Sequence, residues 1–224
     1  MSRHGRLWLL AELLLLVATG AAGAETTASH AEDLSRLLRQ DRPAVRLKPI
    51  EAVQACGPGG CGVLLGSITI DLDAGRLRRR GGPPLAWALD GPLGVADLPD
   101  LNWAPLRGFK VLRGGRTWGQ CIEFAHAGLG NSGRAQRWRT LVLVAEGSRS
   151  AQRITGYWAG CAALAQGSTS GEVMLPTVEP VASGEPALQI VWHRCALRGC
   201  VRSLDARRVA GRADSESGQL TLRP

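Results

Sequence analysis

The chain has 224 residues, of which 45% are apolar and 21% charged, and its formal net charge is +8. This balance excludes a wholly disordered protein, because disorder requires fewer apolar and more charged residues. Six cysteines are too few for a disulfide-scaffold miniprotein, yet many for a cytosolic protein. No apolar run of about 18 residues follows the N-terminus, so we expect no transmembrane segment in the mature chain.

Residues 1–24 have the pattern of a secretory signal peptide. Arg3 and Arg6 supply the positive start, residues 7–17 the apolar core, and small residues at the end of the segment a cleavage site. We therefore expect the protein to be periplasmic or secreted. The leader holds two arginines and one glutamate, so the mature chain carries a net charge of +7.

Residues 25–44 are predicted to form a short helix or tether ahead of the main domain. Ser29 followed by Glu32 matches a capping box, in which each side chain satisfies an unpaired backbone N–H at the start of a helix. Three leucines then share one helical face, and Pro43 ends the pattern because it pushes its predecessor out of the helical region. The pattern predicts a short amphipathic helix over 30–40.

From residue 45 the pattern changes to strands. In the run 62–72, Ile68, Ile70 and Leu72 alternate onto one face. Turn-forming glycines separate the runs, and no helical pattern lies between them. Residues 45–224 are therefore predicted to be a single β-rich domain, a disulfide-stapled antiparallel β-sandwich or small barrel. The predicted strands are 45–52, 62–72, 109–112, 118–126, 138–146, 153–164, 172–178 and 188–194.

Residues 80–106 are the least regular part of this domain and contain five prolines. A loop of this length in a compact domain is usually functional or a linker. Trp87 and Trp103 lie in it, and these large aromatic side chains indicate that the loop packs against the domain or presents a stacking surface.

The six cysteines predict three disulfides, because an even number in an exported chain favours complete pairing. Two pairs share a four-residue gap that contains turn formers, so each can close a hairpin. Fifteen connectivities are possible for six cysteines, and the sequence alone leaves the choice open. The favoured pairs are Cys56–Cys61, Cys195–Cys200 and, by elimination, Cys121–Cys161.

An alternative hypothesis uses part of this set for chemistry. Cys121, His126, His193 and Cys195 offer two thiolates and two imidazoles, which are ligands for zinc or copper. With Glu123 as an acid or base, the chain would be a metal-binding protein or a hydrolase centred on Cys121, Glu123, His126 and His193. An oxidising compartment favours disulfides over thiolate ligands, so we expect no metal and no other cofactor.

The leading hypothesis is a non-catalytic binding or interaction module of the bacterial envelope, whose partner is an anionic envelope component or another envelope protein. Four arginines crowd into the segment 76–80, and guanidinium groups bind phosphates and carboxylates through paired donors. A stretch of arginines can also serve only to protect a strand edge. Export disfavours nucleic acid as a partner, and the chain has no recognised nucleic-acid motif. The predicted contact residues are Arg76, Arg78, Arg79, Arg80, Trp87 and Trp103.

The segment 195–201, Cys-Ala-Leu-Arg-Gly-Cys-Val, is preceded by Val-Met-Leu-Pro at 173–176. Together these segments resemble the C-terminal part of invasion-associated locus B proteins, which are exported β-rich proteins of Gram-negative bacteria. The resemblance covers about fifty residues and implies an exported β-rich protein, with no site residue carried over. Cys161 and the pair Cys56–Cys61 have no counterpart in it.

Overall fold

The computed structural model describes residues 26–28, 35–36, 38–39, 42–57, 60–71, 76–89, 106–125, 138–157, 160–180, 187–203, 207–213 and 220–223. These residues contain seventeen strands and a single 3-10 turn, Cys161–Ala163. The strands are β1 (Thr26–Ala28), β2 (Arg46–Ile50), β3 (Ala52–Gly57), β4 (Gly60–Leu65), β5 (Ile68–Asp71), β6 (Arg76–Arg79), β7 (Ala86–Leu89), β8 (Leu106–Arg113), β9 (Arg116–Ala125), β10 (Trp138–Ala145), β11 (Ser150–Tyr157), β12 (Ala165–Gln166), β13 (Val173–Pro180), β14 (Ala187–Ala196), β15 (Gly199–Arg202), β16 (Arg207–Ala213) and β17 (Leu220–Arg223).

The strands form two sheets. The larger has the order β1-β17-β16-β14-β13-β11-β10-β9-β8-β2, with β12 beside β13 and β15 beside β14, and the smaller has the order β3-β4-β5-β6. Neighbouring strands are antiparallel, apart from β7, which runs parallel to β11. The predicted mainly β, antiparallel class is confirmed. Strand β7 lies inside the stretch predicted as the proline-rich loop 80–106, so that stretch is not all loop.

Part of the larger sheet closes into a ring, because the segment before β2 meets β12. Just before β2, Ala44 forms a backbone bridge with Ala165 of β12, and the N–H of Val45 donates to the carbonyl of Leu164 at 3.3 Å. Because β12 also pairs with β13, a closed ring runs through β2, β8, β9, β10, β11, β13 and β12. Buried apolar side chains fill this ring, among them Val111, Cys121, Leu141, Leu143, Ile154, Val173 and Leu175.

Strand β10 is buried on both of its faces. Leu141 and Leu143 belong to the core inside the ring, whereas Val142 and Val144 pack against the smaller sheet, as the two-residue period of a strand requires. The smaller sheet therefore lies face to face on β9–β11 of the larger one. Its contribution to the shared core is Val63, Leu65, Ile68, Ile70 and Leu77.

A β-bulge in β9 sets which way Trp118 faces. Val111 of β8 pairs with Gly119 and Leu112 pairs with Thr117, which leaves Trp118 as the extra residue. The bulge turns the indole into the ring core, where its Nε1 donates to the carbonyl of Gly171 at 2.9 Å. Gly119 is required beside it, since a Cβ there would lie 2.2 Å from the carbonyl oxygen of Val144.

The segment before β2 covers the side of β13 and β14 that points away from the ring core. Leu38 is fully buried in an apolar cluster with both strands, and the Arg42 guanidinium lies 4.9 Å from the ring centroid of Trp192. Most of the helix predicted over 30–40 lies outside the described residues, so that helix stays a prediction. The stretch predicted as a helix or tether, 25–44, begins with strand β1, which pairs with β17.

All six cysteines form disulfides. Two of the bonds close the β3–β4 and β14–β15 hairpins, and the third joins β9 to the 3-10 turn inside the ring. The predicted stapling is therefore confirmed, with the connectivity that spacing favoured. The bonds are Cys56–Cys61, Cys195–Cys200 and Cys121–Cys161. Within the part of the chain that the structure describes, no helix is long and apolar enough to cross a membrane.

Candidate functional site

The residues of the metal or hydrolase hypothesis have other partners. Cys121 is bonded to Cys161, so its sulfur is not a free thiolate. The carboxylate of Glu123, two residues along β9, accepts a hydrogen bond from the backbone N–H of Cys161. Both side chains therefore serve the attachment of the 3-10 turn to β9.

Of the two histidines in that hypothesis, the structure describes His193. His193 is buried on β14, where its Nε2 lies 3.1 Å from the hydroxyl of Thr177 on the neighbouring strand. His126 lies outside the described residues. Among the residues that are described, no group of three His, Cys, Asp or Glu side chains is arranged to hold a metal ion.

The predicted arginines occupy strand β6, the last strand of the smaller sheet, and the turn after it. Leu77 points into the core between the sheets, so Arg76 and Arg78 point to the outer face, where both are exposed. Arg80 is exposed in the turn, and its N–H donates to the carbonyl of Ser67 at 2.8 Å.

Arg79 differs from its neighbours because it faces the larger sheet. Its Nη2 donates to the carbonyl of Ala145 at 2.7 Å, and its Nε and Nη2 each lie 3.3 Å from the carbonyl of Ser148. The guanidinium therefore connects the smaller sheet to the β10–β11 turn. The sequence could not distinguish it from the outward-facing arginines without the register of β6.

The outer face of the smaller sheet has an apolar side and a cationic side. The register places four residues side by side across the four strands, which are, in order, Val53, Leu64, Thr69 and Arg78. Val53 keeps 51% of its surface exposed, and Leu64 is half-buried. Asp71, paired with Arg76 in the next row, lies 3.3 Å from the Arg78 guanidinium, and both members of this ion pair remain open to solvent. We name this surface, from Val53 to Arg76 and Arg78, the outer face.

The described contacts do not connect the two predicted tryptophans with this surface. Trp87 lies on β7, where its backbone pairs with Ala151 of β11. Trp103 lies outside the described residues. The contact role predicted for both stays a prediction.

Sequence reasoning missed a second cationic position. Lys48 of β2 and Lys110 of β8 are direct partners across the antiparallel pair, and both are exposed. Each lysine lies in a predicted strand, which was the available signal. Their pairing depends on strand register, which a hydrophobic pattern does not specify for two exposed positions.

A cleft of about 700 Å³ opens at the end of the ring near the β8–β9 turn. Its walls include Arg116, Trp118, Glu146 and Leu197. Arg113, also in the wall, is already engaged, because its guanidinium donates to two carbonyls of the 167–172 loop at 2.7 and 2.8 Å. The cleft is thus a mixed polar and apolar opening, and Arg116 is the exposed cation among its described wall residues.

The loop beside this cleft is held by Glu172. Burial would raise the pKa of its carboxyl, but hydrogen bonds from Ser168 and Thr169 and the charge of Arg194 outweigh it and lower the pKa below its ordinary value. The Arg194 Nε lies 3.8 Å from Oε1 of this carboxylate. Glu172 is therefore a structural carboxylate rather than a proton donor near neutral pH.

No family model, curated protein or solved structure matches the chain. A proposal for function rests on the surfaces described above.

Proposed function

We propose that the protein is an exported, periplasmic or secreted β-sandwich module of the bacterial envelope that binds an anionic amphiphile without catalysing a reaction. The contact surface is the outer face, with Arg80 at its border. The ligand class is a phosphate or carboxylate carried on an apolar body, as in lipopolysaccharide or a phospholipid.

The order of residues across the outer face supports this ligand class. Arg76 and Arg78 lie on the edge strand β6, and Val53 and Leu64 lie on the far strands of the same face. Guanidinium groups provide forked donors for phosphate and carboxylate oxygens, while the apolar side can cover hydrocarbon. This arrangement of cations beside exposed apolar side chains is the observation that carries the proposal.

The Asp71–Arg78 ion pair limits how strongly this surface attracts anions. Its side chains are 46% and 28% exposed for Arg78 and Asp71, so the pair is solvated and contributes little to stability. An incoming anion can therefore share the Arg78 guanidinium without breaking a buried contact. Arg76 has no ion pair with a described carboxylate and supplies the more available charge.

Export is supported by the leader pattern at 1–24 together with three disulfides, which persist in oxidising compartments. The resemblance to invasion-associated locus B proteins agrees with this compartment and adds no contact residue. The metal-binding or hydrolase alternative has no support from a described contact, because Cys121 and Glu123 are engaged with Cys161.

The test is co-sedimentation with phosphatidylcholine vesicles that contain phosphatidylglycerol or lipopolysaccharide, at rising salt. We expect the double variant Arg76→Ser, Arg78→Ser to bind about thirtyfold more weakly, since each arginine near an anionic surface contributes about 1 kcal/mol. The matched control removes two exposed arginines elsewhere, Arg149→Ser with Arg198→Ser, and should bind within about threefold of the parent.

Two outcomes would overturn the proposal. Equal weakening in both double variants would mean that net charge alone drives binding, and no weakening in either would mean that the outer face is not the contact surface. A third variant tests the apolar side: Val53→Ser should weaken binding to vesicles and leave retention on a sulfated polysaccharide matrix unchanged, because that matrix has no hydrocarbon.

A further inference from the structure

The chain has two lysines among its 27 basic side chains, and they face each other. Lys48 and Lys110 are direct partners across β2 and β8, so the two side chains leave the same face of the sheet from adjacent backbones. Both are exposed. Like charges placed directly opposite on a sheet destabilise it, so this pair has a cost in the absence of a counter-ion.

No described residue forms an ion pair with Lys48 or Lys110. Along the two strands on the same face, Arg46 and Ile50 flank Lys48, and Gly108 and Leu112 flank Lys110. The next strand places Gln120 beside Lys110. Within the described residues, no ion pair joins a carboxylate to either lysine or to Arg46, so no described carboxylate neutralises these three cations by direct contact.

Edge protection accounts for only half of this arrangement. A lysine on a strand edge blocks pairing with another chain. Lys48 is at such a position, because the bridge to β12 is made at Ala44 and the rest of β2 pairs only with β8 among the described strands. Lys110 is not, because β8 is paired with β2 on one side and β9 on the other. A second lysine at that inner position adds repulsion without protecting an edge.

The neighbouring side chain on β9 is fixed in place. In the orientation that satisfies both of its polar atoms, the Gln120 amide donates to the carbonyl of Leu65 and accepts from the N–H and hydroxyl of Ser67. The β4–β5 turn is thereby held beside Lys110, and the main chain of Arg80 is held there too by its bond to Ser67. The lysines thus lie on paired strands, next to a turn that hydrogen bonds hold in place, rather than on a loop.

We propose that Lys48 and Lys110 together bind a phosphoryl dianion, the terminal phosphate of a phosphomonoester or inorganic phosphate, with Arg46 as the adjoining cation. A phosphomonoester carries close to two negative charges at neutral pH and presents three acceptor oxygens. Two ammonium groups on one face can each donate to a different oxygen. The bound dianion attracts both ammonium groups and thereby offsets their mutual repulsion. This site lies on the larger sheet, whereas the outer face belongs to the smaller one, and it does not depend on the proposed function.

The experiment measures binding of inorganic phosphate to the purified protein by calorimetry, and thermal unfolding in phosphate against chloride at equal ionic strength. We expect saturable binding and a higher unfolding temperature in phosphate. Lys110→Gln should weaken phosphate binding about tenfold or more, because it removes one charged hydrogen-bond donor. The matched control Arg198→Gln, an exposed cation on the β14–β15 hairpin, should bind within about twofold of the parent.

The same variant has a second readout of opposite sign. In chloride at low ionic strength, Lys110→Gln should unfold at a higher temperature than the parent, because the cross-strand repulsion is gone. In phosphate this advantage should disappear or reverse. A lysine with only a solvating role would give neither change.

Three results would overturn the site: no saturation with phosphate, equal weakening in Lys110→Gln and Arg198→Gln, or unchanged stability of Lys110→Gln in chloride. The Arg76→Ser, Arg78→Ser variant keeps this test independent, since it should retain phosphate binding even if the outer face fails. Vesicles containing phosphatidic acid, compared with phenyl phosphate in solution, distinguish a lipid headgroup from a soluble phosphomonoester as the source of the dianion.

Discussion

The carboxylate of Glu123 accepts a hydrogen bond from the backbone N–H of Cys161, the residue whose sulfur is bonded to Cys121 on the same strand as Glu123. Two side chains on one face of β9 therefore attach the 3-10 turn, Cys121 by a disulfide and Glu123 by a charged hydrogen bond. Two of the residues that suggested a metal or hydrolytic centre thus attach this turn to β9.

Replacing Glu123 with Ala should destabilise the fold by about 1–3 kcal/mol, because it leaves the buried N–H of Cys161 without its acceptor. Urea unfolding under non-reducing conditions measures this cost. The control is Glu146→Ala, an exposed carboxylate in the β10–β11 turn, which should change stability by less than about 0.5 kcal/mol. Equal effects of the two variants would show that the contact between Glu123 and Cys161 does not matter.

Removing the three disulfides one at a time should give two classes of stability loss. The bond between Cys121 and Cys161 spans 40 residues and the hairpin bonds span 5 each, so the loop-entropy model predicts losses of about 4 and about 2 kcal/mol. Paired Cys→Ala variants and chemical unfolding test this. The two hairpin variants are controls for each other, since they share one loop length. The prediction fails if either hairpin variant loses as much stability as the core variant.

Variants of Arg79 and Arg78 should have opposite effects, the first on the stability of the fold and the second on vesicle binding. Arg79→Met removes the hydrogen bonds to Ala145 and Ser148 and should cost about 1–3 kcal/mol, while vesicle binding stays at the parent level. Arg78→Met should do the reverse, with a stability change below about 1 kcal/mol, because its ion pair is solvated, and weaker vesicle binding. Thermal unfolding and co-sedimentation of both variants measure the two effects. Loss of vesicle binding in Arg79→Met at temperatures where it is folded would return Arg79 to the contact surface.

The stabilising effect of Glu172 should depend on pH. The hydrogen bonds from Ser168 and Thr169 and the charge of Arg194 lower its folded pKa. A lowered folded pKa contributes stability above the unfolded value, and that contribution is lost as the pH falls through the folded value. Glu172→Gln should therefore be less stable than the parent at about pH 7, and the difference should shrink as the pH falls through the folded pKa of Glu172. A pH-independent difference between the two proteins in denaturant unfolding would contradict this assignment.

The sequence predicted the class of the fold well because alternation and cysteine spacing are local signals. It misread the run 62–72 as one strand, whereas the structure divides it at a two-residue turn, Gly66 and Ser67, into β4 and β5. Gly66 has a φ of 57°, which a glycine adopts without strain. A glycine followed by serine between two strand-forming triplets, Val63–Leu65 and Ile68–Ile70, was the signal for a tight hairpin.

What the sequence could not supply is the relation between strands that are distant along the chain. Strand β7 was missed because its pairing with β11 joins residues more than sixty positions apart. The inward direction of Arg79 and the pairing of Lys48 with Lys110 depend on register in the same way. The candidate sites are thus combinations that become visible only when the two sheets are assembled.

The bridge between Ala44 and Ala165 also has a kinetic consequence. It joins residues 121 positions apart, and the ring core cannot be sealed from water until this contact forms. Contacts between such distant residues carry a large chain-closure entropy and slow the search for the native state. We therefore expect the hairpins, two of which carry their own disulfides, to form first. The contact between the segment before β2 and strand β12 should form last. An incompletely closed chain would expose the edges of β2 and β12 during that interval, so this is the point in folding at which pairing with another chain would be easiest.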